Sequence, residues 1–127
     1  MLLLYLIRHQ KGSEEMNFNS EHRLQLIIGC FNSDRVFYSR HARQEMLEEE
    51  FGSVTDSEVC ESVCNGEIIE NYPDDKPYPS VLIFGRTNTG RPLHTVCSYN
   101  GEDDRIIIIT VYHPNSERWE DYRRRKK

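Results

Sequence analysis

The densest run of apolar residues in the chain is Arg105–Tyr112, which reads RIIIITVY. Isoleucine and valine are stiff at χ1 and fit a pleated surface better than a helix. The run is apolar on both faces as far as Thr110, which predicts a central strand that is covered on each side. Because the pattern turns polar where this strand leaves the core, we expect a functional site at that end.

Three shorter apolar segments precede this run and predict further strands. They are Glu67–Tyr72, Val81–Arg86 and Leu93–Tyr99. Proline, aspartate, asparagine and glycine residues separate the segments, and Asn100–Gly101 leads into the last strand. Because short turns join successive strands, the pattern predicts an antiparallel meander of four strands.

Apolar residues recur at helical spacing in the first half of the chain and predict three helices. The first helix covers residues 20–31. The second follows Ser39, a typical N-cap residue, and is ended by Gly52. The third is opened by a capping-box pattern at Thr55–Glu58 and is stopped by Asn65–Gly66.

Two short segments lie outside these elements. Val36–Tyr38 is either a short strand or the start of the second helix. Ser116 is a suitable cap for a short helix around Trp119 and Tyr122. The tail that follows, Arg123–Lys127, is basic and is expected to lie in solvent.

Helices followed by a meander are typical of the α+β class. We therefore expect the helices to pack on one face of a four-stranded antiparallel sheet. Residues 36–127 form this α+β domain in our interpretation, and residues 1–35 form an N-terminal extension with a helix. Met1–Ile7 is apolar but short and fits a signal peptide poorly, so we expect an extra strand, a helix start or sequence ahead of the domain.

The chain of 127 residues has the size of one domain and carries a formal net charge of −5. An acidic domain is a poor non-specific binder of phosphate backbones, which counts against nucleic acid as a partner. No apolar run approaches the roughly 20 residues that are needed to span a bilayer.

The chain contains four cysteines, of which Cys60 and Cys64 share a face if their segment is helical. These two are either half of a metal site or two small apolar residues in a core. We favour the core, because zinc sites usually show a second cysteine pair or paired histidines. Without a convincing secretion signal, we expect reduced thiols and a cytoplasmic location.

Four polar side chains collect at one end of one face of the predicted sheet. They are Arg86, His94, Thr110 and Tyr112. This placement assumes that Tyr99 pairs with Arg105 and that Arg86 pairs with Pro92. Because side chains alternate along a strand, the even-numbered residues then share a face, and a slip of one residue would break the cluster.

A guanidinium, an imidazole and two hydroxyls on one surface suit phosphate chemistry. Arg86 can bind phosphate oxygens in a bidentate manner. His94, expected opposite Thr110, can act as a general acid or base. His41, at the start of the second predicted helix, completes an acid–base pair if that helix packs against this end of the sheet.

A string of motifs carries a family resemblance from Val36 to Arg125. It reads YSRHARQEM, NGEIIENYPDDKPYPS, LIFGRT, GRPLHTV, IIIITVYHP and ERW. Together these motifs resemble a widespread prokaryotic domain-of-unknown-function family. That family is itself similar to the RelE/ParE-like toxins, in the barnase–EndoU–colicin–RelE group of small metal-independent ribonucleases.

The resemblance implies a RelE/barnase-like fold, RNA as the substrate, no metal or other cofactor, and a small zinc-finger antitoxin as the protein partner. It implies an active site at His41, Arg86, His94, Thr110 and Tyr112. The first thirty-five residues lie outside the family pattern. The acidic charge also differs from that of ribosome-dependent toxins, which are usually basic.

The first functional hypothesis is a toxin that cleaves RNA by acid–base catalysis at the ribose 2′-OH. Either His41 or His94 removes the 2′-OH proton, and the other protonates the leaving 5′-oxygen. Arg86 binds the scissile phosphate, and Thr110 or Tyr112 contacts a non-bridging oxygen.

The second hypothesis is a non-catalytic module that binds a protein partner on the same scaffold. The partner would dock on the acidic helix at Glu45–Glu50 or on the sheet edge at Glu67–Tyr72. The acidic charge of the chain favours this alternative.

Overall fold

The computed structural model describes residues 12–127, with side chains described from Ser20 onward. The elements of this part of the chain are α1 Gly12–Asn32, β1 Val36–Tyr38, α2 Arg40–Glu48, α3 Asp56–Cys64, β2 Glu67–Tyr72, β3 Ser80–Arg86, β4 Pro92–Asn100, β5 Arg105–Tyr112, β6 Trp119–Glu120 and β7 Arg124–Arg125. The apolar segment predicted at Met1–Ile7 lies outside the described residues.

Five strands form the main sheet, in the order β1-β5-β4-β3-β2. The strands β2 to β5 form the expected antiparallel meander. In addition, β1 pairs in parallel with β5, with Tyr38 opposite Ile108. The α+β class is confirmed, but the prediction of a four-stranded antiparallel sheet is wrong. A strand of three residues shows no periodicity of its own, and its partner is distant in sequence.

Local capping hydrogen bonds define where α2 and α3 begin. The Ser39 hydroxyl accepts from the Ala42 amide at 3.0 Å, and Thr55 forms the predicted capping box with Glu58. The α2 helix ends at Glu48, before the predicted end at Gly52. It stops early because the chain turns back, so that the Val54 amide donates to the Met46 carbonyl at 2.8 Å.

The three helices cover one face of the sheet, and the core lies between the two layers. Its buried residues are Ile27, Cys30, Ala42, Met46, Val54, Val59, Val63, Val81, Ile83, Leu93, Cys97, Ile106, Ile108 and Val111. The α3 helix approaches β3 so closely that a Cβ on Gly85 would lie 1.7 Å from the Ser62 carbonyl oxygen. No described helix is long and apolar enough to cross a membrane.

The C-terminal segment crosses the other face of the sheet, which we call the outer face. The helix predicted after Ser116 is wrong, because Trp119–Glu120 and Arg124–Arg125 pair as a short hairpin. Its turn places Asp121 at φ 54° and Tyr122 at φ 60°, which interrupts any helix there. The hairpin buries Trp119 against the sheet, with 5% of the residue exposed.

A β-bulge sets the register of the last hairpin. Arg105 pairs with Asn100 and not with Tyr99, as was predicted, so the register at the turn differs from the prediction by one residue. The ladder then shifts at Ile109, because Cys97 faces Ile108 while Val96 faces Thr110. Before the bulge, Ile106 and Ile108 therefore face the core, although they were predicted to share a face with His94. After it, Thr110 and Tyr112 point to the outer face and Val111 points to the core.

Candidate functional site

The strand register brings four of the predicted site residues to the outer face. Arg86 pairs with Pro92, as predicted, and Phe84 lies opposite His94. Tyr112 lies on the other side of His94, where Thr110 was expected, because the turn and the bulge at Ile109 each shift the pairing by one residue. A row of outer-face residues therefore crosses four strands: Tyr112, His94, Phe84 and Glu67.

His94 is fully buried beneath the C-terminal hairpin. Its Nε2–H donates to the Tyr122 carbonyl oxygen at 2.7 Å, and its Nδ1 accepts from the Tyr112 hydroxyl at 3.1 Å. The Trp119 ring packs edge-on against the imidazole, with 4.5 Å between ring centroids. Burial lowers the pKa of His94, and the hydrogen bond to Tyr122 only partly opposes this effect.

These contacts leave His94 without a ring nitrogen for a substrate. A carbonyl oxygen can only accept, so Nε2 must carry the proton in the neutral ring. The imidazole therefore connects Tyr112 on β5 to Tyr122 in the hairpin turn. We assign His94 the role of a positioning residue that holds the hairpin on the sheet.

Tyr112 shares this buried environment. Burial raises the pKa of its phenol, and the charges of Glu70 and Glu45 raise it further, whereas Arg125 lowers it. The phenol therefore stays protonated at neutral pH and keeps donating to His94.

A second group of polar side chains lies where β5 extends beyond the end of β1. The His41 ring is exposed over 68% of its side chain, and its Nε2 lies 3.4 Å from Glu45 Oε2. The other carboxylate oxygen of Glu45 accepts from the Thr110 hydroxyl and from the Val111 amide, the latter at 2.9 Å. Glu45 thus binds an exposed imidazole on one side and the strand edge on the other.

Glu45 was not among the predicted site residues. Its spacing of four residues from His41 on the predicted helix was the available signal, since such residues are neighbours on a helix surface. Its contact with β5 depends on how α2 packs against the sheet, which no local pattern contains.

Arg86 lies at the rim of the outer face with an exposed side chain. Its guanidinium carbon is 5.5 Å from the centroid of the Tyr122 ring and 5.7 Å from that of Phe84. One of its nitrogens donates to the Gly90 carbonyl at 3.0 Å. Arg86 forms no ion pair with any residue whose side chain is described, so most of its donors are free for an anion.

Arg123 lies over the same aromatic surface, with its guanidinium carbon 4.8 Å from the Phe84 centroid. Unlike Arg86, it forms ion pairs with Glu67 and Asp121. A pocket of about 260 Å³ lies beside the two arginines. Its lining includes Asn65, Gly66, Glu67, Phe84, Arg86 and Arg123.

Asn65, at the end of α3, fixes the backbone of Arg86. Its Nδ2 donates to the Arg86 carbonyl at 3.0 Å, and its Oδ1 accepts from the Arg86 amide at 3.4 Å. The sequence identified Asn65 only as a helix stop, because its hydrogen bonds reach a strand that is distant along the chain.

The predicted site residues therefore form two groups. His94 and Tyr112 are in direct contact, and Arg86 joins them through the Tyr122 ring. His41 and Thr110 form the second group through Glu45. The groups adjoin because Thr110 and Tyr112 are two residues apart on the same face of β5. Within the described part of the chain, no three metal-ligating side chains come together.

The fold and the site define a small α+β protein with an exposed imidazole–carboxylate pair beside an arginine–aromatic surface. Residues 38–113 match the family described as "Domain of unknown function (DUF4258)", and the chain belongs to this family. No curated protein and no solved structure matches the chain. The expected membership of a domain-of-unknown-function family is thus confirmed, and the likeness to RelE/ParE-like toxins stays a prediction.

The matched span contains all five predicted site residues. It ends before Trp119 and Tyr122, which cover His94 in this chain. The C-terminal hairpin therefore lies outside the part of the chain that the family defines.

Proposed function

We propose that this protein is a metal-independent RNA endonuclease that uses His41 for acid–base chemistry. The observation that carries the proposal is the exposed His41 imidazole, oriented by a carboxylate that Thr110 and Val111 hold in place. A general base must be both accessible and oriented, and an imidazole can exchange protons near neutral pH. Of the two predicted acid–base histidines, His41 alone has an exposed ring, so the reaction is assigned to it.

The proposed reaction is an internal transesterification. The Glu45 carboxylate faces Nε2, so Nδ1 of His41 accepts the proton of the ribose 2′-OH. The 2′-oxygen then attacks phosphorus, the bond from phosphorus to the 5′-oxygen breaks, and water protonates the leaving oxygen. The products are a 2′,3′-cyclic phosphate and a 5′-hydroxyl. General-base catalysis of this kind contributes about 10²–10⁴-fold.

The surface around Arg86 is the proposed RNA-binding surface. Its free guanidinium donors suit a phosphate of the RNA, and the half-buried ring of Tyr122 suits stacking with a base. Such stacking is worth about 1–3 kcal/mol per base. Arg86 gives this face a positive charge that is unpaired among the described residues, whereas the arginines of the C-terminal tail are paired with Glu67, Glu120 and Glu70.

The test is the incubation of the purified protein with mixed single-stranded and structured RNA in EDTA. We expect cleavage products that carry 2′,3′-cyclic phosphate ends. His41→Asn should lower the rate by about 100-fold or more. His22→Asn, which changes an exposed histidine on α1, is the matched control and should cleave like the wild type. Intact RNA with the wild type, or equal rates with His41→Asn, would contradict the proposal.

A second candidate function is a non-catalytic module that binds a protein partner. It is favoured by the position of β2 at the sheet edge and by two exposed apolar side chains near the acidic helix, Leu47 and Phe51. The growth of cells in which expression of the protein is induced distinguishes the two functions. If induction arrests growth and His41→Asn relieves the arrest, the result supports catalysis. If only the Leu47→Ser/Phe51→Ser double substitution relieves the arrest, the result supports binding.

A further inference from the structure

Two cysteines lie one helical turn apart on the solvent side of α3. The Cys60 and Cys64 sulfur atoms are 3.8 Å apart, Cys60 is half-buried and Cys64 is exposed. The expectation that this pair lies in the core is wrong, because α3 turns Val59 and Val63 toward the sheet instead. Cys30 and Cys97 are the buried thiols.

The separation of the two sulfur atoms fits a shared metal ion. Thiolates bind zinc at about 2.3 Å in a tetrahedral arrangement, so two of them on one ion lie roughly 3.8 Å apart. A disulfide needs Cβ atoms about 3.5–4.5 Å apart, whereas residues four apart on a helix have Cβ atoms about 5–6 Å apart. The helix as it stands therefore suits a metal ion better than a disulfide.

We infer that Cys60 and Cys64 form a two-thiolate site for a thiophilic divalent cation, with Zn²⁺ as the best-matched ion. Thiolate is a soft ligand that selects such ions over Mg²⁺ or Ca²⁺. Asp56, one turn before Cys60, is held in an ion pair by Arg43. The described residues supply no third ligand, so the other coordination positions are open to water or to a second molecule.

Binding at this site must release thiol protons. Burial and the neighbouring Cys60 thiol raise the pKa of Cys64 to about 11. The cation therefore competes with protons, and its apparent affinity should rise with pH, by about tenfold per pH unit for each proton released.

The test uses Co²⁺ as a spectroscopic substitute for Zn²⁺, with the purified protein in oxygen-free buffer. We expect a thiolate-to-cobalt charge-transfer band in the near ultraviolet that saturates at no more than one Co²⁺ per chain and disappears when Zn²⁺ is added. Cys60→Ser and Cys64→Ser should each lose most of the band. Glu48→Gln, which removes an exposed carboxylate from α2, should keep it.

A second measurement needs no substitution. Zn²⁺ should slow the alkylation of Cys60 and Cys64 by iodoacetamide, as mapped by mass spectrometry of the wild-type protein. Absence of the cobalt band in the wild type, survival of more than half of it in either serine variant, or alkylation rates that Zn²⁺ leaves unchanged would each overturn the inference. The result is independent of the nuclease proposal, whose assay is run in EDTA.

Discussion

At the scale of single residues, burial decides what each histidine can do. His94 is fully buried with both ring nitrogens in hydrogen bonds, whereas His41 is exposed and contacts one carboxylate. A satisfied buried imidazole strengthens the structure around it, while an exposed one can exchange protons with a substrate. The same residue type therefore has a positioning role at 94 and suits acid–base chemistry at 41.

Acidification is expected to destabilise the protein through His94. Burial holds its pKa below the ordinary value of 6.5, so the unfolded chain takes up a proton at higher pH than the folded chain. The free energy of unfolding should therefore fall as the pH drops below about 6.5 and level off below the folded-state pKa of His94. Urea unfolding at pH values from about 8 to about 5 measures this slope.

His94→Gln provides the comparison for this pH dependence. Glutamine keeps an N–H donor for the Tyr122 carbonyl but does not titrate, so the slope of its unfolding free energy should be smaller than that of the wild type. Some slope should remain, because burial also lowers the pKa of His113. A variant with the full wild-type slope would show that His94 is not the group responsible.

At the scale of elements, the contact between α3 and β3 connects the helix layer to the arginine–aromatic surface. Gly85 allows the Ser62 backbone to approach β3, and Asn65 then reaches the Arg86 backbone. The position of the Arg86 side chain therefore depends on a helix end as well as on its own strand.

Gly85→Ala is expected to destabilise the protein by about 3 kcal/mol or more. Its Cβ would lie 1.7 Å from a backbone oxygen, so α3 would have to move away from the sheet. Gly101→Ala is the matched control, because its Cβ would meet the Tyr99 ring at an ordinary 3.6 Å. The control should change stability by no more than about 0.5 kcal/mol. Thermal or urea unfolding decides between these outcomes, and equal stabilities would contradict the close packing.

At the scale of the whole molecule, the charge is unevenly distributed. The chain is acidic overall, yet the segment Arg123–Lys127 is entirely basic and includes the second strand of the hairpin that crosses the outer face. All three of its arginines are paired with nearby carboxylates. Arg86 has no such pair with a described residue and therefore offers the strongest free attraction for a phosphate on this face.

Arg86→Gln is expected to weaken binding of a short single-stranded RNA and to make it less dependent on salt. Loss of one phosphate contact lowers the slope of log affinity against log salt by about 0.7 for a single strand. Arg105→Gln is the matched control, because it removes an arginine that also lies over an aromatic ring, Phe37. Fluorescence anisotropy of labelled RNA measures both slopes. An equal loss in the two variants would indicate binding by overall charge alone.

The sequence alone determined the features that depend on neighbouring residues. The caps at Ser39 and Thr55 and the strands of the meander follow local propensity and short hydrogen bonds. The pairing of Arg86 with Pro92 was also predictable, because a short turn limits the registers that are available. These features gave the α+β class and the shared face of Arg86 and His94.

Tertiary structure alone decided the features that no local pattern contains. The parallel pairing of β1, the bulge at Ile109, the contact of Glu45 with β5 and the burial of His94 beneath the hairpin are all of this kind. The bulge changes a pairing within one hairpin, and the other features depend on packing between segments far apart in sequence. None of them leaves a periodic trace in the chain. For this reason the candidate chemistry could be placed on one face of the sheet from sequence, but the choice between His41 and His94 could not.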